Sequence, residues 1–280
     1  MSGAAPSAPW HARIRIRQWA HFLALPLAGY DTAAASGAAT AFALARGVAI
    51  AFGVLAFAFL VNAIADRAMD RDARKNPLAQ SLTAAGSARL AVAFGATALA
   101  IAFTASTAVL VATGVALAAG AAYSVGPRLK GVPILGTAMN PMIFAPLLWV
   151  GVGATIPSDL PTLTILFASL LVQNQLLHEA ADADEDRGGA VHTTFLLLGP
   201  RGTATAAAIT GIAVTAAIVS VHGFLAAAPA ACVYILVFPA LMWNGGHSTP
   251  FMATVRRVHR WSAAFTGTAA FLAATFLLGR

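Results

Sequence analysis

The sequence predicts an all-α membrane bundle of about nine transmembrane helices, and three observations carry that prediction. Hydrophobic residues make up 59% of the 280 and charged residues only 10%, against roughly a quarter charged in ordinary soluble domains. Nine stretches come near the ~20 apolar residues that a helix needs to cross the hydrocarbon, at 19–38, 44–64, 88–105, 107–124, 133–154, 161–181, 203–221, 224–243 and 261–279. The basic residues then sort to one side of these spans.

The first 17 residues contain Arg13, Arg15 and Arg17 and lack an apolar run followed by a small-residue cleavage site. They read as a basic cytoplasmic tail, not a removable signal peptide. With that tail inside, nine spans put the loops 66–90, 126–132, 182–203 and 244–260 inside as well. The inner side then holds 15 of the 17 Lys and Arg, leaving only Arg46 and Arg280 outside. Positive charge on the inner loops sets orientation, so the net charge of +7 follows from topology and calls for no nucleic acid partner.

Within the spans, abundant Ala and Gly allow close helix contact and leave a cavity where Phe103, Phe144, Trp149 and Phe195 are expected to gather. Trp19 and His21 read as interface anchors. Cys232, the single cysteine, rules out an intrachain disulfide and a two-cysteine metal site, and its apolar neighbours Val233 and Tyr234 give it a packing role. No polar linker separates two soluble domains, so residues 1–280 read as one transmembrane domain.

The acids point to the chemistry. Asp66, Asp70 and Asp72 follow the second span, and Glu179, Asp182, Asp184, Glu185 and Asp186 gather at the end of the sixth; together these are eight of the ten acids. Asn62, Asp66 and Asp70 stand four apart, as do Asn174, His178, Asp182 and Asp186. Residues four apart on a helix differ by about 40° around its axis, so each ladder points its polar atoms to one side. Glu179 lies about 100° off the second ladder and reads as solvated.

Carboxylates with an amide are hard oxygen ligands suited to Mg²⁺, which is commonly held by one or two carboxylates and substrate phosphate oxygens. Converging acids repel one another unless cations intervene. Arg71, Arg74, Lys75, Arg128 and Lys130 share the inner side with them and can meet the remaining phosphate charge. Acids and bases around one mouth suggest a metal diphosphate. His178, on the face of Asp182, can orient substrate or accept a proton near neutral pH. Asp31, in or near the first span, is a further functional candidate because ionisable groups in membranes usually have a task.

Asn62-Ala-Ile-Ala-Asp66-Arg-Ala-Met-Asp70, the following Lys75-Asn76-Pro77-Leu78, Tyr123-Ser-Val-Gly-Pro127-Arg128-Leu-Lys130-Gly131, and Asp182-Ala-Asp-Glu-Asp186 with Thr193, Thr194, Leu198 and Gly199 beyond it are motifs in a consistent order. In these the chain resembles the UbiA superfamily of intramembrane prenyltransferases, over residues from about 17 to 260. The resemblance implies transfer of a prenyl group from an isoprenyl diphosphate to an aromatic or lipid acceptor in a bundle open to the bilayer. By position it implies that Asp66, Asp70, Asp182 and Asp186 bind Mg²⁺, with Asp66 and Asp182 catalytic. Asn62 would support that site, Arg128 and Lys130 would neutralise the leaving group, and Tyr123 would join the diphosphate-binding set.

The chain departs from the family pattern in places. It has Tyr123-x-x-x-Pro127 where Tyr-x-x-x-Lys is common, so the basic partner falls to Arg128 or Lys130. It has Ala190 where a Gly is common after the last acid, and His178 where ubiquinone-type members often carry Tyr. The last suggests a different acceptor. A UbiA-type terpene cyclase would use the same ionisation without an acceptor, and a cation-coupled transporter would place its acids at middle depth. The high Ala content suggests a bacterial cytoplasmic membrane, with the site facing the cytoplasm.

Overall fold

A computed structural model describes residues 14–35, 37, 40–68, 76, 78, 84–153, 155–188, 192–243 and 249–277, and these are helices and connections without a strand. The helices are α1 (Ile16–Trp19), α2 (Ala24–Ala35), α3 (Ala41–Ala65), α4 (Ala84–Phe103), α5 (Thr107–Ser124), α6 (Leu135–Phe144), α7 (Leu160–Gly188), α8 (Thr194–His222), α9 (Phe224–Ala231), α10 (Phe238–Trp243) and α11 (Thr249–Leu277). They form two compact units: residues 1–128 with 146–157, and residues 129–145 with 158–280.

Among the described residues, five of the expected spans are single helices long and apolar enough to cross a membrane, namely Ala41–Ala65, Ala85–Phe103, Thr107–Ser124, Leu160–Gly188 and Thr194–Val221. Other expected spans are subdivided, and proline accounts for much of it, since it donates no N–H and crowds the carbonyl one turn back. The stretch 133–154 is α-helical over Leu135–Phe144, with Pro141 inside it, and 3₁₀ over Ala145–Gly151. The stretch 224–243 contains a π-helix, Cys232–Val237, between α9 and α10; Pro239, just beyond it, has no N–H for the Ile235 carbonyl. The stretch 19–38 divides into Ile16–Trp19, the 3₁₀ turn Ala20–Leu23, and Ala24–Ala35. The expected loop 244–260 is helical from Thr249, because α11 begins well before residue 261.

In the first unit, α3 packs between α4 and α5 through small residues. A Cβ on Gly53 would stand 2.9 Å from the Phe94 carbonyl oxygen, and one on Gly120 would stand 3.0 Å from Ala58 Cβ. Thr40 caps α3 by accepting the Ala43 N–H at 3.1 Å. Trp19 is fully buried between Phe52 and Phe59 and its indole N–H donates to the Ile14 carbonyl. It is a core residue, not an interface anchor, because one carbonyl satisfies its polar edge. His21 is exposed. Phe103 is 77% exposed, so it faces away from the interior and lines no cavity, whereas Phe144 of the second unit is buried.

In the second unit, α7 packs against α8, α11 and α6. Leu170, Leu177, Ala207, Val214, Tyr234, Phe238 and Met252 form its core. Gln173 is fully buried and donates to the carbonyls of Ala207 (2.8 Å) and Tyr234 (2.9 Å), while its Oε1 meets His259 Nε2 at 2.9 Å. The Tyr234 carbonyl belongs to the π-helix and presses on Gly211 so closely that a Cβ there would overlap it. Cys232 in that same π-helix is exposed; the neighbour on the buried face is Tyr234, so the thiol has no packing role.

These approaches predict that Gly211→Ala lowers thermal stability in detergent by about 1–3 kcal/mol, the usual cost of overpacking. Gly114→Ala, where a Cβ meets nothing within 4 Å, is the matched control and should leave the unfolding temperature unchanged or slightly raised.

Candidate active site

The first ladder ends α3. Its last turn carries Asn62, and Asp66 is the C-cap, with its own N–H on the Asn62 carbonyl at 2.9 Å. Asp66 is nearly buried and its Oδ1 accepts from Arg128 Nη2 at 3.3 Å. Arg128 holds a left-handed backbone (φ 47°) two residues after Gly126 (φ 64°). Such a conformation is uncommon for a side-chain-bearing residue, and here the turn brings the guanidinium back onto Asp66.

Ala58 faces Gly120 and Asp66 faces Arg128, both at a spacing of 62 residues. Asn62 and Ser124 therefore stand at one level of α3 and α5. Asn62 Oδ1 and Ser124 Oγ are both buried without a hydrogen-bond partner. Buried polar atoms rarely go unsatisfied, so an oxygen acceptor left open one turn from a carboxylate fits a hard cation or a ligand donor. Behind the ladder, Asn76 is fully buried, donates to the Ala63 carbonyl at 2.8 Å and accepts the Leu78 N–H at 3.0 Å. It pins the chain beyond the ladder to the end of α3. Tyr123, in the last turn of α5, is half-buried. Asp70, Arg71, Arg74 and Lys75 lie outside the described residues.

The second ladder belongs to the other unit. It lies within α7, which continues helical to Gly188, so Asn174, His178, Asp182 and Asp186 do share one side of a helix. His178 Nδ1 is 3.0 Å from Asp182 Oδ2, and both side chains are partly exposed. Asn174 Oδ1 is buried without a partner, and Asp186 is half-buried. Asp184, on a different side, is taken up by Arg187 (2.6 Å) and by the Thr249 hydroxyl (2.8 Å). Lys130 is half-buried in the 3₁₀ turn Leu129–Gly131 of this unit. Asp31 is half-buried in α2 of the first unit.

Glu179 is the residue that sequence reasoning misplaced. It is buried, not solvated. Its Oε1 accepts from the Thr137 hydroxyl at 2.7 Å and from Gln175 Nε2 at 3.4 Å, and its Oε2 accepts the Phe195 N–H at 3.0 Å. Phe195 N–H is one of the open donors at the start of α8, where negative charge is also favoured by the helix dipole. Thr193 caps α8 at the Leu196 N–H, so this helix begins inside the expected loop 182–203, and no local signal marked what Glu179 would meet there.

Among the described residues no three His, Cys, Asp or Glu side chains cluster as a metal site. The donors present are those of Mg²⁺, which takes few carboxylates and completes its shell with water and phosphate oxygens.

The profile of the UbiA prenyltransferase family matches residues 22–249. No curated protein matches the sequence. Solved structures do share the fold. A UbiA homolog from Archaeoglobus fulgidus bound to DMAPP and Mg²⁺ is 21% identical, with a TM-score of 0.69 over 94% of this chain and 99% of that one. A digeranylgeranylglyceryl phosphate synthase is 12% identical, with a TM-score of 0.78 over 94% and 96%. An apo UbiA homolog from Aeropyrum pernix K1 is 18% identical, with a TM-score of 0.69 over 92% and 98%.

Asn76→Ala should lower stability by about 1–3 kcal/mol, because it leaves buried backbone groups without partners. Thermal unfolding of the detergent-solubilised protein measures this. A change within error would show that Asn76 does not anchor the ladder.

Proposed function

The chain belongs to the UbiA prenyltransferase family, and from that premise we propose that it moves the prenyl group of an isoprenyl diphosphate onto an aromatic or lipid acceptor within the membrane. The observation that carries this reading is the open Asn62 Oδ1 one turn from Asp66, itself held by Arg128. Asp66, Asp70, Asp182 and Asp186 would hold Mg²⁺, supported by Asn62. Mg²⁺, when bound with the diphosphate, stabilises the negative charge that develops on the leaving group.

The residues of this chain divide the remaining work. Arg71, Arg74, Lys75, Arg128 and Lys130 meet the phosphate oxygens that the cation leaves free, and Tyr123 joins that set. The allylic C–O bond breaks with both electrons going to the diphosphate. The apolar helices keep water from the allylic cation, and the acceptor forms the new bond to the prenyl carbon and releases a proton. His178, whose Nδ1 lies 3.0 Å from Asp182 Oδ2, is placed to orient the substrate or take the acceptor's proton. The family works within membranes, and the distribution of basic residues supports a site on the cytoplasmic face of a bacterial membrane.

Purified protein with Mg²⁺, isoprenyl diphosphates of several lengths and a panel of phenolic and lipid acceptors should release diphosphate and yield a prenylated adduct by mass spectrometry. Asp66→Ala and Asp182→Ala should each reduce that turnover on the order of 100-fold or more. A cyclised hydrocarbon in place of an adduct would reassign the chain to cyclisation. Full turnover in either variant would remove that aspartate from the site.

A further inference from the structure

Glu179 ends two hydrogen-bond chains that run through its neighbours. In the first, the Ile134 N–H donates to Thr194 Oγ1 at 2.8 Å, Thr194 and Thr137 hydroxyls are 2.6 Å apart, and Thr137 donates to Glu179. Since Thr137 gives its only proton to the carboxylate, Thr194 must be the donor of the pair. In the second, Asn140 Nδ2 donates to Gln175 Oε1 at 3.3 Å and Gln175 Nε2 donates to Glu179. With the Phe195 N–H, three donors converge on one buried carboxylate, which offers only acceptors.

The partners are mechanical links. Ile134, Thr137 and Asn140 mark one side of the segment that begins α6, and Thr194 and Phe195 begin α8. The same segment carries Gly136, where a Cβ would stand 2.8 Å from the Lys130 carbonyl oxygen, so the Lys130 turn rests directly on α6. Glu179 itself sits between His178 and Asp182 on α7.

We propose that Glu179 is a positioning residue for the diphosphate site. By holding α6 and the start of α8 against the off-ladder side of α7, it fixes the rotation at which His178, Asp182 and Asp186 are presented and seats the turn that carries Lys130. This rests on the reading under Proposed function. Glutamine is isosteric but replaces one acceptor with two donors, so in E179Q an NH₂ must face either the Phe195 N–H or the Thr137 and Gln175 donors.

The test compares wild type, E179Q and T137V as full-length protein in detergent, by diphosphate release from geranyl diphosphate with Mg²⁺ varied. In E179Q the Mg²⁺ half-saturation and the KM for diphosphate should each rise roughly tenfold or more, as when a residue supporting a metal ligand is changed. T137V, which keeps the carboxylate and cuts one chain, should shift both in the same direction by less, and T137V/E179Q should be no worse than E179Q. A residue that merely stabilises the fold would lower the active fraction and hence apparent kcat, leaving KM and Mg²⁺ half-saturation at wild-type values, and that result overturns the proposal. Should E179Q not fold, T137V decides by the same criterion. A wild type that consumes no isoprenyl diphosphate would instead defeat the functional reading, and this proposal with it.

Discussion

In an apolar bundle a buried polar group is costly unless it finds a partner inside the protein, and α7 engages polar side chains on two of its sides. Gln173 and Asp184 lie toward α11, where they bond His259 and Thr249. Glu179 and Gln175 lie toward α6 and α8. The remaining side carries Asn174, His178, Asp182 and Asp186, where His178 Nδ1 lies 3.0 Å from Asp182 Oδ2. With Gln173, Gln175, Glu179 and Asp184 engaged, α7 cannot rotate without breaking several bonds, so those contacts fix the direction in which its ladder side is presented.

The first unit solves the same problem with less. Asp66 has Arg128, whose left-handed backbone is the cost of reaching it, and Asn76 closes the end of α3 behind it. What stays open, Asn62 Oδ1 and Ser124 Oγ at one level of α3 and α5, is buried and polar. Open acceptors beside a carboxylate in an apolar setting are costly unless a ligand meets them, which is the physical case for a functional site here.

Some of this was legible in the sequence because it depends on local pattern. Uninterrupted apolar runs such as 44–64 and 161–181 became single helices, and the four-residue spacing of Asp182 and Asp186 put them on one side of α7. The subdivision of 133–154 and 224–243 was hidden by counting apolar residues, though Pro141, Pro146, Pro229 and Pro239 were in plain view. Other features were illegible in principle. The Glu179 carboxylate meets Thr137 across 42 positions, and Asp66 meets Arg128 across 62. Helical angle correctly set Glu179 off the ladder, but whether that side met water or protein was a tertiary fact. Trp19, Phe103 and Cys232 erred for the same reason, since composition cannot say which side of an apolar helix is covered.

The central proposal is that Asp66 and Asp182 are each needed for binding a divalent cation together with a diphosphate. Electron paramagnetic resonance tests it directly, with Mn²⁺ in place of Mg²⁺ and a thiolo analogue of geranyl diphosphate that resists ionisation. The account predicts Mn²⁺ binding that requires the analogue in wild type and is lost in both Asp66→Asn and Asp182→Asn. Analogue-dependent binding that persists unchanged in either variant would contradict it.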